Sequence, residues 1–265
     1  MSLKIIPVIL ENKYFTFNAL AFLPSLDDDA PSIKSEWCVF SHGYTASKSD
    51  CLTWATRVSE AGSPAIIFDH PGHYLGGINS VNSFEEFTEH AHKNFALAFQ
   101  KLQELMQGHA PDSGLKTIVL GGHSLGALLC LKALNLPELA KFETLAIGVG
   151  IGIGQHKAVH LFESSFYQKT LNVRRQLVSP ALDSSLMFPW IKDEKLKLNL
   201  YQKRIHLITG LDDLVVGKGG LEALRFELSA QNIVTTFEPN KLQHHNPSGA
   251  ATYIYSFLKK EFDWQ

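Results

Sequence analysis

Cysteine is scarce in this chain. Its three copies, Cys38, Cys51 and Cys130, are an odd number without metal-ligand spacing. They exclude a disulfide framework and a cysteine-knotted metal. Cys38 and Cys130 stand inside apolar runs and are expected in the core as small hydrophobes, which suits a reducing, cytoplasmic compartment. Also missing is any run near the about 18 apolar residues of a membrane span. The opening "MSLKIIPVIL" carries too short an apolar run for a secretory leader, and Pro7 interrupts it. Charge of one sign is not in excess: the formal net charge is -2, so no basic field invites nucleic acid or an anionic surface. The short charge runs at 27–29 and 192–195 read as solvated surface. Twelve histidines are present, but none falls in a metal-ligating motif, and His90 and His92 stand two apart on a helical segment, pointing to different faces. Neither metal nor cofactor is expected. "GVGIGIG" at 148–154 misses the spacing of a dinucleotide loop and reads as strand-end packing.

What remains is an ordinary globular composition, 45% hydrophobic and 19% charged over 265 residues, enough for one large domain. "IIPVIL" and "YFTFNALAF" read as an N-terminal hairpin. Short apolar strands follow at "WCVFS", "AIIFD", "TIVLG", "LAIGVGIG", "RIHLITG" and "IVTTFE". Helical patterns over 49–61, 125–135, 219–230 and 247–262 alternate with them. A longer helix starts at Ser83, with Glu86 three residues on as a capping box. Its apolar positions Phe84, Phe87, Ala91, Phe95, Ala98, Leu102 and Leu105 recur at helical spacing. Alternating strands and helices predict a mostly parallel sheet with helices on both faces. About 155–203 breaks the alternation and is expected to be a helical insertion over one end of the sheet, within a single domain spanning 1–265. Its Leu161, Phe162, Phe166, Tyr167, Leu182, Met187, Phe188 and Trp190 would line an apolar acyl pocket or lid, or simply pack the insertion down.

Gly122-His123-Ser124-Leu125-Gly126 joins a strand candidate to a helix. Small residues on either side let strand and helix approach, and the sharp turn lifts the serine hydroxyl out of the sheet as a nucleophile. A hydroxyl of this kind needs a base to take its proton and donors to receive an oxyanion. In a parallel sheet those groups lie at the carboxyl ends of the strands. "WCVFS" runs into His42-Gly43-Tyr44, and "AIIF" into Asp69-His70-Pro71-Gly72-His73.

With these motifs the chain resembles the α/β-hydrolase fold family. The resemblance implies that His-Gly leads into the oxyanion loop, so the backbone N–H groups of Tyr44 and Leu125 are the expected oxyanion donors. It marks "DHPGH" as a fold signature rather than a catalytic element, and neither His70 nor His73 is expected to be catalytic. In "LITGLDDLVV" the family pattern puts the acid at Asp213, with Asp212 the alternative if the loop is shifted. The base is a late histidine before the last helix. His244 and His245 both qualify; His245, immediately before Asn246-Pro247 at the helix start, is the assignment. The triad then reads Ser124, Asp213, His245, in the family's chain order.

The activity implied is hydrolysis of a carboxylic ester, or a thioester, through an acyl-enzyme. Its substrate would be a small molecule with an apolar acyl or alcohol group. Carbon–carbon bond hydrolysis, acyl transfer, perhydrolysis and a binding protein without turnover are the alternatives on the same fold.

Overall fold

The computed structural model describes residues 3–27, 29–111, 113–154 and 165–264. Strands β1 (Lys4–Glu11) and β2 (Thr16–Leu23) form the N-terminal hairpin, and β3 (Glu36–Ser41) leads into helix α1 (Leu52–Glu60). Strand β4 (Ala65–Phe68) is followed by α2 (Phe84–His90) and α3 (Asn94–His109). Strand β5 (Thr117–His123) is followed by α4 (Leu125–Ala133). Then come β6 (Glu143–Val149), α5 (Ser165–Arg174), α6 (Ser184–Leu196), β7 (Arg204–Ile208), α7 (Gly220–Ser229), β8 (Ile233–Phe237) and α8 (Ala251–Glu261).

The strands make one eight-stranded sheet in the order β1-β2-β4-β3-β5-β6-β7-β8. All pairs from β4 through β8 are parallel, and the hairpin adds antiparallel at the β2–β4 edge. This is the arrangement implied by the family resemblance. Pro7 sits in β1, where an edge strand has no outer ladder bond to lose.

Alternation along each central strand divides the core in two. Val39, Ile66, Phe68, Ile118 and Leu120 face α2, α3 and α4, whereas Cys38, Phe40, Ile67 and Val119 face α1 and α8. Cys38, Cys51 and Cys130 are free thiols, all fully buried. The glycines at 148 and 152 are packing positions, as expected. A Cβ on Gly152 would lie 2.5 Å from Val216 and 2.6 Å from the backbone of Gly220.

Three expectations need correction. The helix from Ser83 is not continuous. Ser83 caps it, its Oγ accepting the Glu86 N–H at 3.1 Å, but a tight 3-10 stretch at Ala91–Lys93 separates α2 from α3. The hairpin docks at that break. Tyr14 stacks on His90 with ring centres 3.7 Å apart, and Asn12 Nδ2 donates to Asn94 Oδ1 at 3.1 Å. The reciprocal half of the capping box is also absent, because the Glu86 carboxylate takes the Asn82 amide instead. The run at 192–195 is not simply solvated. Glu194 accepts from Lys132 of α4 at 2.5 Å, and Lys195 donates to the Gly152 carbonyl at 2.5 Å. Burial, then the neighbouring Lys192, lowers the Lys195 ammonium to about 8.

Residues 155–164 of the expected insertion, Leu161 and Phe162 among them, lie outside the described residues, as do the side chains of Phe166 and Tyr167. The rest folds as α5, α6 and short 3-10 turns over the loop that follows β4. Ser179 N–H donates to the Gly72 carbonyl at 2.7 Å, and Tyr74 N–H to the Leu177 carbonyl at 2.8 Å. Leu182 and Met187 are fully buried and pack this segment down. Phe188 meets Tyr44 with ring centres 5.4 Å apart, and Trp190 meets Phe84 at 6.3 Å. No described helix is long and apolar enough to cross a membrane.

Candidate active site

Ser124 stands between the last residue of β5 and the first of α4 with φ 51° and ψ -108°. A non-glycine residue rarely adopts such a backbone, and the cost is borne where surrounding structure enforces it. The enforcement is visible. Ser124 N–H donates to the Val149 carbonyl at 2.8 Å, and its own carbonyl accepts the Leu128 N–H at 3.1 Å. Only glycine fits on either side of the turn. A Cβ on Gly122 would lie 2.2 Å from the Gly126 carbonyl carbon, and one on Gly126 would lie 2.5 Å from the His42 carbonyl oxygen. The flanking glycines therefore bring the start of α4 onto the ends of β5 and β3, and the serine hydroxyl is left at the carboxyl end of the sheet.

The histidine that reaches it is His244. Its Nε2 lies 3.2 Å from Ser124 Oγ, and its Nδ1 lies 2.9 Å from Asp213 Oδ2. A carboxylate only accepts, so Nδ1 carries the proton and Nε2 is left to accept from the serine hydroxyl. Asp213 is 4% exposed. Its other oxygen accepts the N–H groups of Val215 and Val216, each at 2.9 Å, which fixes the carboxylate with one oxygen aimed at the imidazole.

Ser124 and Asp213 thus stand together, but the assignment of His245 is overturned. The two histidines occupy the middle of a tight turn closed by Asn246 N–H on the Gln243 carbonyl at 2.9 Å. Their ring planes stand at 89° with centres 5.5 Å apart, and His245 is exposed where His244 is half-buried. Nor is Asp212 a mere turn residue. Its Oδ1 accepts the Leu242 N–H at 2.7 Å, tethering the histidine loop two residues before His244. Adjacency to the helix start was the wrong criterion; the tether and the turn decide which imidazole faces inward.

Of the expected oxyanion donors, Leu125 directly follows Ser124, and Tyr44 follows Gly43, which packs on the serine. Leu125 N–H is the first of α4, where a helix has no acceptor of its own and its dipole favours negative charge. Gly43 packs against Ser124: a Cβ there would lie 3.4 Å from Ser124 Cβ and 2.7 Å from His123 Nδ1.

Four buried histidines surround this centre without touching Ser124 Oγ. His123, inside the serine motif, lies beside His244 with ring centres 4.8 Å apart. His42, His70 and His73 pack together behind the oxyanion loop. Burial, above all, pushes His42 down to about 4, His73 to about 3, and His70 and His123 well below the ordinary value. All four are neutral in the fold. The sequence showed His42, His70 and His73 within motifs, but not that they share a cluster. Among the described residues, no three His, Cys, Asp or Glu side chains are arranged to hold a metal ion.

Comparison with known proteins follows the same line. No curated protein matches the chain. Among solved structures, an α/β serine hydrolase without a lid from Xanthomonas campestris is 13% identical, with 97% of this chain and 95% of that one covered and a TM-score of 0.56. An esterase from Pyrococcus furiosus is 16% identical over 99% and 91%, with a TM-score of 0.59. A thermostable carboxyl esterase from Bacillus coagulans is 14% identical over 99% and 98%, with a TM-score of 0.60. At such identities the likeness is one of fold. The sequence model of the alpha/beta hydrolase family matches residues 38–214, from β3 through the Asp213 loop. The chain belongs to the alpha/beta hydrolase family.

Proposed function

We propose that this protein is a serine hydrolase that cleaves a carboxylic ester, or a thioester, through an acyl-enzyme. The observation that carries the reading is the line Asp213–His244–Ser124, with contacts of 2.9 and 3.2 Å, at a serine held in a strained turn. In the forward step Ser124 Oγ gives its proton to His244 Nε2 and bonds the acyl carbon. The resulting oxyanion is received by the N–H groups of Tyr44 and Leu125. Collapse breaks the bond to the leaving alcohol, which takes the proton from Nε2. Water then repeats the sequence: Nε2 takes its proton, its oxygen bonds the acyl carbon, and Ser124 departs reprotonated. Asp213 holds the imidazole tautomer and stabilises the cation formed in each half.

Phe188 and Tyr44 present an aromatic edge beside the oxyanion loop, which suits a small-molecule substrate with an apolar acyl or alcohol group. We read α5 and α6 as a lid on a single hydrolase domain, and the three buried free thiols as fitting a cytoplasmic enzyme. The test is labelling by a fluorophosphonate together with turnover of p-nitrophenyl esters of increasing acyl length. The expected result is labelling and turnover in the wild type and neither in Ser124→Ala. Turnover of Ser124→Ala within about tenfold of wild type would defeat the mechanism, because losing such a nucleophile costs on the order of 10⁶ in kcat.

A further inference from the structure

The Gly43 carbonyl and the Tyr44 N–H belong to one peptide group, so whatever grips the carbonyl aims the N–H. Two donors grip it: His42 Nδ1 at 2.7 Å and Ala46 N–H at 3.3 Å. The imidazole can donate from Nδ1 because its other nitrogen is occupied as an acceptor, Nε2 receiving the backbone N–H of His70 at 2.9 Å. His70 returns a second bond. Its Nε2 lies 3.0 Å from the His42 carbonyl oxygen and must be the protonated nitrogen there. The remaining nitrogen, His70 Nδ1, has no partner, as suits the bare lone pair of a neutral ring. The two side chains are 0% and 1% exposed. His70 is itself anchored. Asp69, the residue before it, accepts the Lys48 N–H at 2.7 Å and the Lys48 ammonium at 2.6 Å, tying the loop after β4 to the segment that follows the oxyanion turn.

We propose that His42 and His70 form a neutral positioning pair for the oxyanion hole, in which the His70 backbone N–H fixes the ring of His42 and the His70 side chain fixes its carbonyl, and His42 orients and polarises the Gly43–Tyr44 peptide toward the nascent oxyanion. The proposal rests on the hydrolase reading above. Chained hydrogen bonds in a buried setting strengthen one another, so donation to the Gly43 carbonyl makes the Tyr44 N–H a better donor at the moment charge develops. The buried neutrality of both rings supports the assignment, since a charged His42 would turn an N–H against the N–H of His70. "DHPGH" is then more than a fold signature in this chain. Its second residue reaches the oxyanion loop, though it never touches substrate.

The test compares His70→Gln, which keeps an N–H within reach of the Nε2 position, with His70→Leu, which removes it. His42→Asn and His42→Leu make the matching comparison at Nδ1. For each full-length variant, kcat and KM on p-nitrophenyl butyrate, the affinity of a trifluoromethyl ketone and the melting temperature are measured. The leucine variants are expected to lose about 10- to 100-fold in kcat, short of the about 10²–10³ for a donor removed outright. Their KM should stay within about threefold, and ketone affinity should weaken in parallel with kcat. The Gln and Asn variants should recover most of the loss at equal melting temperature. Equal kcat in wild type and a folded His70→Leu would overturn the proposal, as would equal losses in the Leu variants and their polar counterparts. If His70→Leu does not fold, the His42 pair decides by the same criteria. A wild type inert to fluorophosphonate overturns the hydrolase reading and the proposal with it. A labelled wild type with insensitive variants overturns the proposal alone.

Discussion

His244 Nε2 lies 3.2 Å from Ser124 Oγ, while the next residue, His245, is exposed and its ring plane stands at 89° to that of His244. His244→Ala is therefore expected to lower kcat by about 10⁴-fold or more, and His245→Ala by less than about tenfold. Steady-state kinetics on one p-nitrophenyl ester distinguishes them. The reverse ranking would mean that the loop rearranges before catalysis.

The two aspartates divide in the same way, but for different reasons. Asp213→Asn offers His244 Nδ1 the wrong partner and should cost on the order of 10⁴-fold in kcat. Asp212→Asn keeps an oxygen for the Leu242 N–H and should remain near wild-type activity. Asp212→Ala loses that tether. A fall of about 1 kcal/mol in stability is expected, together with a drop in kcat as His244 loosens. Full activity in Asp212→Ala would show that the turn alone holds the base.

Glycine substitutions should separate the elbow from the rest of the fold. A Cβ at Gly122 would lie 2.2 Å from backbone that cannot yield, whereas one at Gly108, in α3, meets nothing within 4 Å. Gly122→Ala is expected to lower the melting temperature by about 6 °C or more, corresponding to roughly 3 kcal/mol. Gly108→Ala should raise stability by about 0.5–1 kcal/mol through helix propensity. Thermal melts of both, read beside fluorophosphonate labelling, check this.

Acid should destabilise the fold well above the range in which carboxylates titrate. His42 and His73 are held neutral down to about 4 and about 3 from an ordinary 6.5. His70 and His123 are lowered in the same direction. Between about pH 6.5 and 4 the unfolded chain therefore binds protons that the folded chain refuses. Stability is full above that window and is lost as pH falls through it, by up to about 1.4 kcal/mol per pH unit for each such ring. Melting temperatures should drop steadily from pH 7 to pH 5. A flat profile would contradict the burial of these four side chains.

Much of the molecule was legible in the chain because the determinants are local. The short apolar strands, the helix stops and the glycines at two residues either side of Ser124 act on near neighbours in sequence, and the order of elements follows from them. The break at Ala91–Lys93 was not legible, since the helical spacing of Phe87, Ala91 and Phe95 continues straight across it. It coincides with the docking of Tyr14 and Asn12, about 80 residues away in sequence.

The sequence by itself determined that a serine would stand at the strand–helix turn, that an aspartate and a late histidine would follow, and that His42-Gly43 would enter the loop beside them. Which histidine turns inward was decided only in three dimensions. His244 and His245 are chemically identical neighbours, and the choice depends on a tight turn and on the bond that Leu242 N–H donates to Asp212, 30 residues back along the chain. The pairing of His70 with His42 was decided there too. His70 and His42 are 28 residues apart and meet because β3 and β4 pair in parallel and finish side by side at the carboxyl end of the sheet.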